Sequence, residues 1–343
     1  MMRVLITGGA GFIGCNAARR FLERGDEVVV FDNLSRRGAD KNLNWLKSQK
    51  GQLIFVKGDI REEKKVASLF KDFGKIDLAL HMAAQVAVTT SVINPREDFE
   101  INALGTFNLL EAIRLSKHRS VIINASTNKV YGEMESVKIT KKEKRYQYAQ
   151  PNYSISEDMP VSFYSPYGCS KGAAEQYVLD YARIYGLKTV NLRQSCIYGP
   201  RQFGVEDQGW VAHFIIAAVL KRKIIIYGDG KQVRDILYIG DLVNAFIKAY
   251  ENIKKTNGKS YNIGGGRTNS ISLLEFVDLL EDFLGTKVKY EFKDWRPADQ
   301  KIYISDIGLA EKDFGWKPNV HFKKGIKLLV EWVRENRGLF DGF

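Results

Sequence analysis

The stretch Ile6-Thr7-Gly8-Gly9-Ala10-Gly11-Phe12-Ile13-Gly14 decides the fold. It follows the apolar run Val4-Leu5-Ile6, which reads as a buried strand, and it opens the helical segment Ile13 to Arg24. The three glycines have separate tasks. Gly8 permits the tight turn, Gly11 lets the backbone approach a pyrophosphate, and Gly14 lets the helix pack close to the strand. The first helical turn, with Phe12 and Ile13, then offers N–H groups and partial positive charge to phosphates. This pattern predicts a dinucleotide site.

The next strands extend that prediction. Asp32 ends the second apolar run, 18 residues after Gly14, where a carboxylate accepts hydrogen bonds from ribose hydroxyls; Asn33 follows it. Such a carboxylate repels a 2′-phosphate, so the expected cofactor is NAD. Arg36 and Arg37 are the counter-signal, since arginines there accommodate NADP. In Gly58-Asp59-Ile60, Asp59 and Ile60 end the third run beside the expected adenine; Asp59 is alternatively a helix N-cap.

Further runs at Ile76 to Leu80, Val121 to Ile123 and Thr189 to Leu192 alternate with helix-length segments such as Phe99 to Ser116. Strand and helix in alternation predict an α/β fold, a doubly wound parallel (Rossmann) sheet. The last third is mixed: helical over Ile271 to Phe283 and Gly325 to Asn336, strand-like over Val288 to Lys293. We therefore expect a cofactor domain over 1–195, its sheet completed by part of 231–265. A smaller mixed α/β substrate domain is expected from 196–230 and 266–343. Glu133 to Ser162 reads as a surface insertion or the border of a pocket.

The chain has 343 residues and 45% hydrophobic content, which excludes disorder and leaves room for a large core. Three scattered cysteines exclude a disulfide framework and a zinc site, and predict reduced thiols in the cytoplasm. His118, His213 and His321 are too far apart to suggest a metal site. The sequence shows no signal-peptide pattern and no apolar run long enough for a membrane span. The net charge of +12 is dispersed, with no aromatic-interleaved basic stripe, so no nucleic-acid partner is expected.

The chemistry is carried by Tyr167-Gly168-Cys169-Ser170-Lys171, where Tyr and Lys four apart share one helix face. A tyrosine is a poor base at neutral pH unless nearby positive charge favours its phenolate. Lys171 and an oxidised nicotinamide are the expected sources. Thr127 ends the fifth strand, at the sheet edge that faces the ligand crevice, and is placed to hydrogen-bond a reacting hydroxyl. In Gly228-Asp229-Gly230-Lys231-Gln232-Val233-Arg234-Asp235, Arg234 follows a turn and suits a bidentate phosphate contact. The alternative is an ion pair with Asp235 or Asp241. Gln85 and Thr89, after the fourth strand, read as sugar ligands or as a polar loop. His81, at that strand's end, reads as structural.

Together the glycine loop, Asp59, His81-Met82-Ala83-Ala84-Gln85, Asn102, Thr127 and the Tyr167/Lys171 pair resemble the extended short-chain dehydrogenase/reductase family that modifies nucleotide-activated sugars. The resemblance covers nearly the whole chain. It implies that Ala83, Ala84 and Asn102 serve the cofactor. It makes Thr127, Tyr167 and Lys171 the catalytic triad, with Lys171 also holding the nicotinamide ribose. It places Arg234, Arg296, Asp299 and Arg201 against the substrate's diphosphate and ribose. Dehydratases of the family carry an Asp-Glu pair after the threonine, where this chain has Asn128-Lys129, so the resemblance implies an epimerase.

The stretches 32–36, 126–132, 165–174, 201–203 and 207–211 resemble the branch that inverts C2 of a CDP-linked dideoxyhexose, and Gln208 is counted with the substrate set. The rivals are a UDP-hexose 4-epimerase of the same family and a catalytically inactive NAD-sensing module. Relatives often pair through two helices, here Phe99 to Ser116 and Ser170 to Tyr185. That implies a homo-oligomer, a dimer or a tetramer.

Overall fold

A computed structural model describes residues 1–296 and 299–341. Pro297 and Ala298, between the two expected substrate residues Arg296 and Asp299, lie outside the described residues. Seven strands form one sheet: β1 (Arg3–Thr7), β2 (Glu27–Asp32), β3 (Gln52–Lys57), β4 (Leu78–His81), β5 (Val121–Thr127), β6 (Thr189–Gln194) and β7 (Lys259–Ile263). Their order is β7-β6-β5-β4-β1-β2-β3, and every pairing is parallel. The sheet is the doubly wound one expected, with the order reversing at β1. The apolar runs of β1, β2, β4, β5 and β6 are buried on both faces, as a covered parallel sheet requires, whereas the edge strand β3 is half-buried. One face packs on Phe21, Leu242, Phe246 and Trp316, the other on Leu69, Leu110, Ile113, Val178 and Tyr181.

A separate core gathers Phe214, Ile215, Ile226, Phe276, Leu280, Leu329 and Phe340. Ala310, Phe314 and Trp316, though late in the chain, pack with the sheet. Three local readings change. The segment 271–283 is strand before it is helix: Ser270–Ser272 pairs antiparallel with Val233–Tyr238, and the helix Leu273–Leu284 starts after it. Ser272 and Glu275 form a capping box there, a start signal written in the sequence. The segment Phe99 to Ser116 contains a π-helical turn, Glu100–Leu104, before the helix Gly105–Leu115. The stretch 133–162 contains a short hairpin, Ile139–Lys141 with Tyr146–Tyr148, whose tyrosines pack with Tyr131, Ile155 and Tyr303.

The helix Ser165–Tyr185 carries Tyr167 and Lys171, and a buried ion pair fixes it to the sheet. Glu175, one turn beyond Lys171, pairs with Arg193 of β6 at 2.5 Å, both side chains almost wholly buried. Ser126 of β5 donates to the same carboxylate at 2.5 Å and Ser260 of β7 at 3.1 Å. Arg193 also donates to the Tyr131 hydroxyl at 2.8 Å, and that hydroxyl donates to Asn262 of β7 at 2.8 Å. Removing one partner of such a pair leaves an uncompensated buried charge. Glu175→Ala is therefore expected to cost about 3–5 kcal/mol. Guanidinium unfolding checks this, and a loss under about 1 kcal/mol, the range of an exposed pair, would contradict it.

Candidate functional site

The glycine loop is built as a cradle. Gly8 has φ +67°, and a Cβ there would lie 2.7 Å from the Ala83 nitrogen. A Cβ on Gly14 would stand 2.3 Å from the Gly8 oxygen, so only glycine lets this helix sit so close. The helix Phe12–Glu23 has no side-chain cap and no acidic residue in its first turn, which leaves its N-terminus open to an anion. Asp32 accepts from Ala10 N at 3.0 Å and from Leu34 N at 2.7 Å, which ties the loop to the end of β2. Each of its oxygens keeps a second acceptor position for a ribose hydroxyl. These residues fit a dinucleotide such as NAD. Ala83 and Ala84 are half-buried at the end of β4, and Ala83 N donates to the Thr7 hydroxyl at 3.3 Å.

Other expected cofactor residues act through the protein. Asp59 takes four hydrogen bonds, three from Arg61 and one from the Asn33 amide, and the Arg61 guanidinium holds its carboxyl down at about 2. Four donors fill its acceptor positions, so an adenine amino group must displace one. Asp59 is not the N-cap of the next helix, which starts at Glu63 after Glu62. Ile60 is buried against Gly105, and its carbonyl accepts from Asn108. Asn102 corrects the expectation of a direct cofactor contact. It is buried, and its amide bonds Gln85 N and O, Asp98 and Ser170. It braces the loop after β4.

Thr127, Tyr167 and Lys171 meet where β5 ends. Burial pushes the Tyr167 phenol up to about 12, a hydrogen bond with Thr127 lowers it, and Asp98 raises it. Burial lowers the Lys171 ammonium to about 8, against the pull of Asp98 and Glu175. Lys171 Nζ donates to Ala125 O at 2.6 Å. In the chain without dinucleotide it is Thr127 that lowers the phenol, and burial outweighs it. Asp98, which the sequence reading missed, is fully buried and accepts from Ser170, the residue before Lys171. Its spacing of four from Asn102 was the available signal.

A cavity of about 360 Å³ opens over Thr127 and Tyr167. Phe12, Ile13, Thr89, Thr127, Tyr167, Gln208, Arg234, Arg296 and Asp299 line it. Arg234 pairs with Asp299 at 2.6 Å, not with Asp235 or Asp241. Arg296 lies over the Tyr227 ring, 3.8 Å from its centroid, and 3.0 Å from the Asp207 carboxylate. Gln208 accepts from Arg36, which draws that arginine towards the cavity loop.

Two expected substrate residues do not line the cavity. Gln85 folds back on its own loop, donating to Ala87 O at 2.7 Å and accepting from Ala87 N. Arg201 faces a different cavity and stacks over Trp45 and Trp332 at 4.3 and 5.7 Å. Gln194, Gln202, Trp210 and Gln232 also line the cavity that holds Thr127, and of these only Trp210 was weighed from the sequence as a pocket wall. Each has a buried polar atom without a hydrogen-bond partner, as does Thr89. Such atoms are costly unless something supplies the partner. Gln232 stands two residues before Arg234 in the turn already singled out.

The profile of the GDP-mannose 4,6 dehydratase family matches residues 5–329. The chain belongs to that family. This is the nucleotide-sugar branch of the extended short-chain dehydrogenase/reductases to which the motifs pointed. The chain is 45% identical to the CDP-paratose 2-epimerase of Salmonella typhi, covering 97% of this chain and 99% of that one. It is 35% identical to a putative UDP-glucose 4-epimerase of Methanocaldococcus jannaschii, with the same two coverages. The Thermus thermophilus UDP-glucose 4-epimerase, solved in complex with NAD, superposes with a TM-score of 0.83 at 33% identity, covering 98% of this chain and all of that one.

His81, buried at the end of β4, is a structural group. It bonds the Thr7 and Thr106 hydroxyls at 2.7 and 2.9 Å, and burial lowers its imidazole to about 3. The unfolded chain therefore takes up this proton first. The stability due to His81 is complete above the ordinary value of 6.5 and is lost as pH falls from there towards 3. Each unit in that window costs about 1.4 kcal/mol. Unfolding at about pH 7 and about pH 5 should show this loss, and His81→Gln should flatten it. An unchanged slope in the variant would refute the assignment.

Proposed function

We propose that this chain is an NAD-dependent epimerase that inverts C2 of a CDP-linked dideoxyhexose, converting CDP-paratose to CDP-tyvelose. The observation that carries this reading is the cavity itself. It joins Thr127 and Tyr167 to the Arg234 and Arg296 guanidiniums, and neither Asn128 nor Lys129 supplies the carboxylic acid that a dehydratase needs. The 45% identity to a CDP-paratose 2-epimerase along the full chain supports the choice of sugar and base.

Bound NAD+ supplies the hydride acceptor for C2, and its positive ring favours the Tyr167 phenolate. Tyr167 takes the proton of the C2 hydroxyl, with Thr127 holding the same oxygen in line. Lys171 is within reach of the helix face that carries Tyr167 and of the β5 carbonyl at Ala125, where it orients the nicotinamide ribose. C2 becomes a ketone. Arg234 and Arg296 hold the diphosphate while the sugar turns about that link, so C2 presents its opposite face. Tyr167 then returns the proton to the oxygen as C2 takes the same hydride back on that opposite face, so no net oxidation results. Because the phenol stands at about 12 in the free chain, proton removal depends on the loaded cofactor.

Two helices leave a shared apolar face uncovered. Phe99, Leu104, Phe107, Tyr177, Ile184 and Tyr185 are exposed. This supports pairing of two copies through the segments 99–116 and 170–185.

The direct test is an assay of the NAD-loaded protein with CDP-paratose and with UDP-galactose. Inversion of the first and not the second is expected; the reverse preference would make the chain a 4-epimerase, and no turnover of either would favour a sensing role. Tyr167→Phe should lower turnover about 10²–10⁴-fold. Near-normal rates in that variant would remove Tyr167 from the chemistry.

A further inference from the structure

Lys129 is a cavity cation whose charge the proposed chemistry leaves unused. It stands two residues after Thr127, is partly exposed, and lines the same cavity as Thr127, Tyr167 and Thr89. An ammonium has three donors. Its recorded hydrogen bond, to Gln300 Oε1, is long at 3.5 Å. Gln300 cannot follow it closer, because its Oε1 also accepts from Asn128 at 3.3 Å and its Nε2 donates to Gly132 O at 2.6 Å. Asp299, a carboxylate whose charge favours the ammonium, is taken by Arg234 at 2.6 Å, and Arg234 repels the ammonium. Burial and that repulsion lower Lys129 to about 8, so it is still mostly charged at neutral pH.

A lysine kept only for packing would bury its stem and send its head to water or to a free carboxylate. This one lines the cavity, and among the described residues its ammonium makes only the long bond to Gln300. We infer that Lys129 is a positioning residue for the substrate, donating to a sugar oxygen other than the one on which Tyr167 and Thr127 act. The inference rests on the reading of the cavity as a nucleotide-sugar site. Tyr167 holds the reacting oxygen on one side and the arginines hold the diphosphate on another. A third hold on the sugar keeps the ketone in the cavity while it turns. The chemistry recognised is an oxygen acceptor, either a hydroxyl lone pair or a carbonyl. Lys129→Met keeps the length and apolar stem and removes the donors.

The test compares NAD-loaded wild type, Lys129→Met and Lys129→Arg by calorimetric titration with CDP-paratose and with CDP. Loss of a charge-assisted hydrogen bond predicts about 10–100-fold weaker binding of CDP-paratose by Lys129→Met. Binding of CDP should stay within about twofold, bound dinucleotide should be retained, and Lys129→Arg should recover part of the loss. In turnover, Lys129→Met should raise KM and release free keto sugar. Unchanged binding of both ligands would overturn the inference. Equal weakening of both would also overturn it, by placing Lys129 on the phosphates. If the wild type binds neither ligand, the proposed function fails, which is a different result from a wild type that binds CDP-paratose no better than Lys129→Met.

Discussion

The buried pairing of Glu175 with Arg193 is the constraint on which the site depends. Glu175 lies one turn beyond Lys171 and two beyond Tyr167, and its carboxylate takes donors from β5, β6 and β7. Through Ser126 it fixes the residue before Thr127. Thr127, Tyr167 and Lys171 are thus set by one carboxylate and the strands around it. Two charges buried together cost several kcal/mol of desolvation, which good geometry and further hydrogen bonds must offset. Here Tyr131, Ser126 and Ser260 supply those bonds. The network does not contribute much stability beyond what an apolar cluster would; its use is the register it imposes on the helix Ser165–Tyr185.

The cavity shows the complementary situation. Thr89, Gln194, Gln202, Trp210 and Gln232 keep polar atoms buried and unpaired, and the acidic loop at Glu206 and Asp207 engages Arg296. A closed, fully satisfied core would have none of these features. They mark a surface made to be completed by a polar molecule. A sugar with hydroxyls and a diphosphate offers acceptors to the donors and donors to the glutamine oxygens. The same logic accounts for the charges. The net +12 is spread over the surface, whereas Arg234 and Arg296 meet acidic partners in the cavity that a diphosphate can replace.

Most of the fold and half of the site were legible in the sequence, for definite reasons. The glycine loop, Asp32 and the Tyr167/Lys171 pair are local patterns, set by spacing along one strand–helix unit. The parallel order followed from alternating apolar runs. Contacts between distant segments were not legible. Nothing local distinguishes Arg201, which stacks on Trp45 and Trp332, from Arg234, which faces the cavity. Gln85 was read as a sugar ligand or part of a polar loop because it follows β4, and its amide is spent on Ala87. Glu175 and Arg193 are 18 residues apart and meet only when β6 returns beside β5. The strand Ser270–Ser272 was absorbed into a helix because its apolar residues continue the helical pattern of Leu273–Leu284. The capping box at Ser272 and Glu275 marked the true start.

Direct return of the same hydrogen is the central claim, since one tyrosine and one bound dinucleotide must both remove and restore the C2 substituents. The most direct measurement follows CDP-paratose carrying deuterium at C2 through the reaction in ordinary water. The account predicts that the inverted product keeps its deuterium at C2. Loss of the label to solvent would mean that the carbon is deprotonated and reprotonated, and would contradict it.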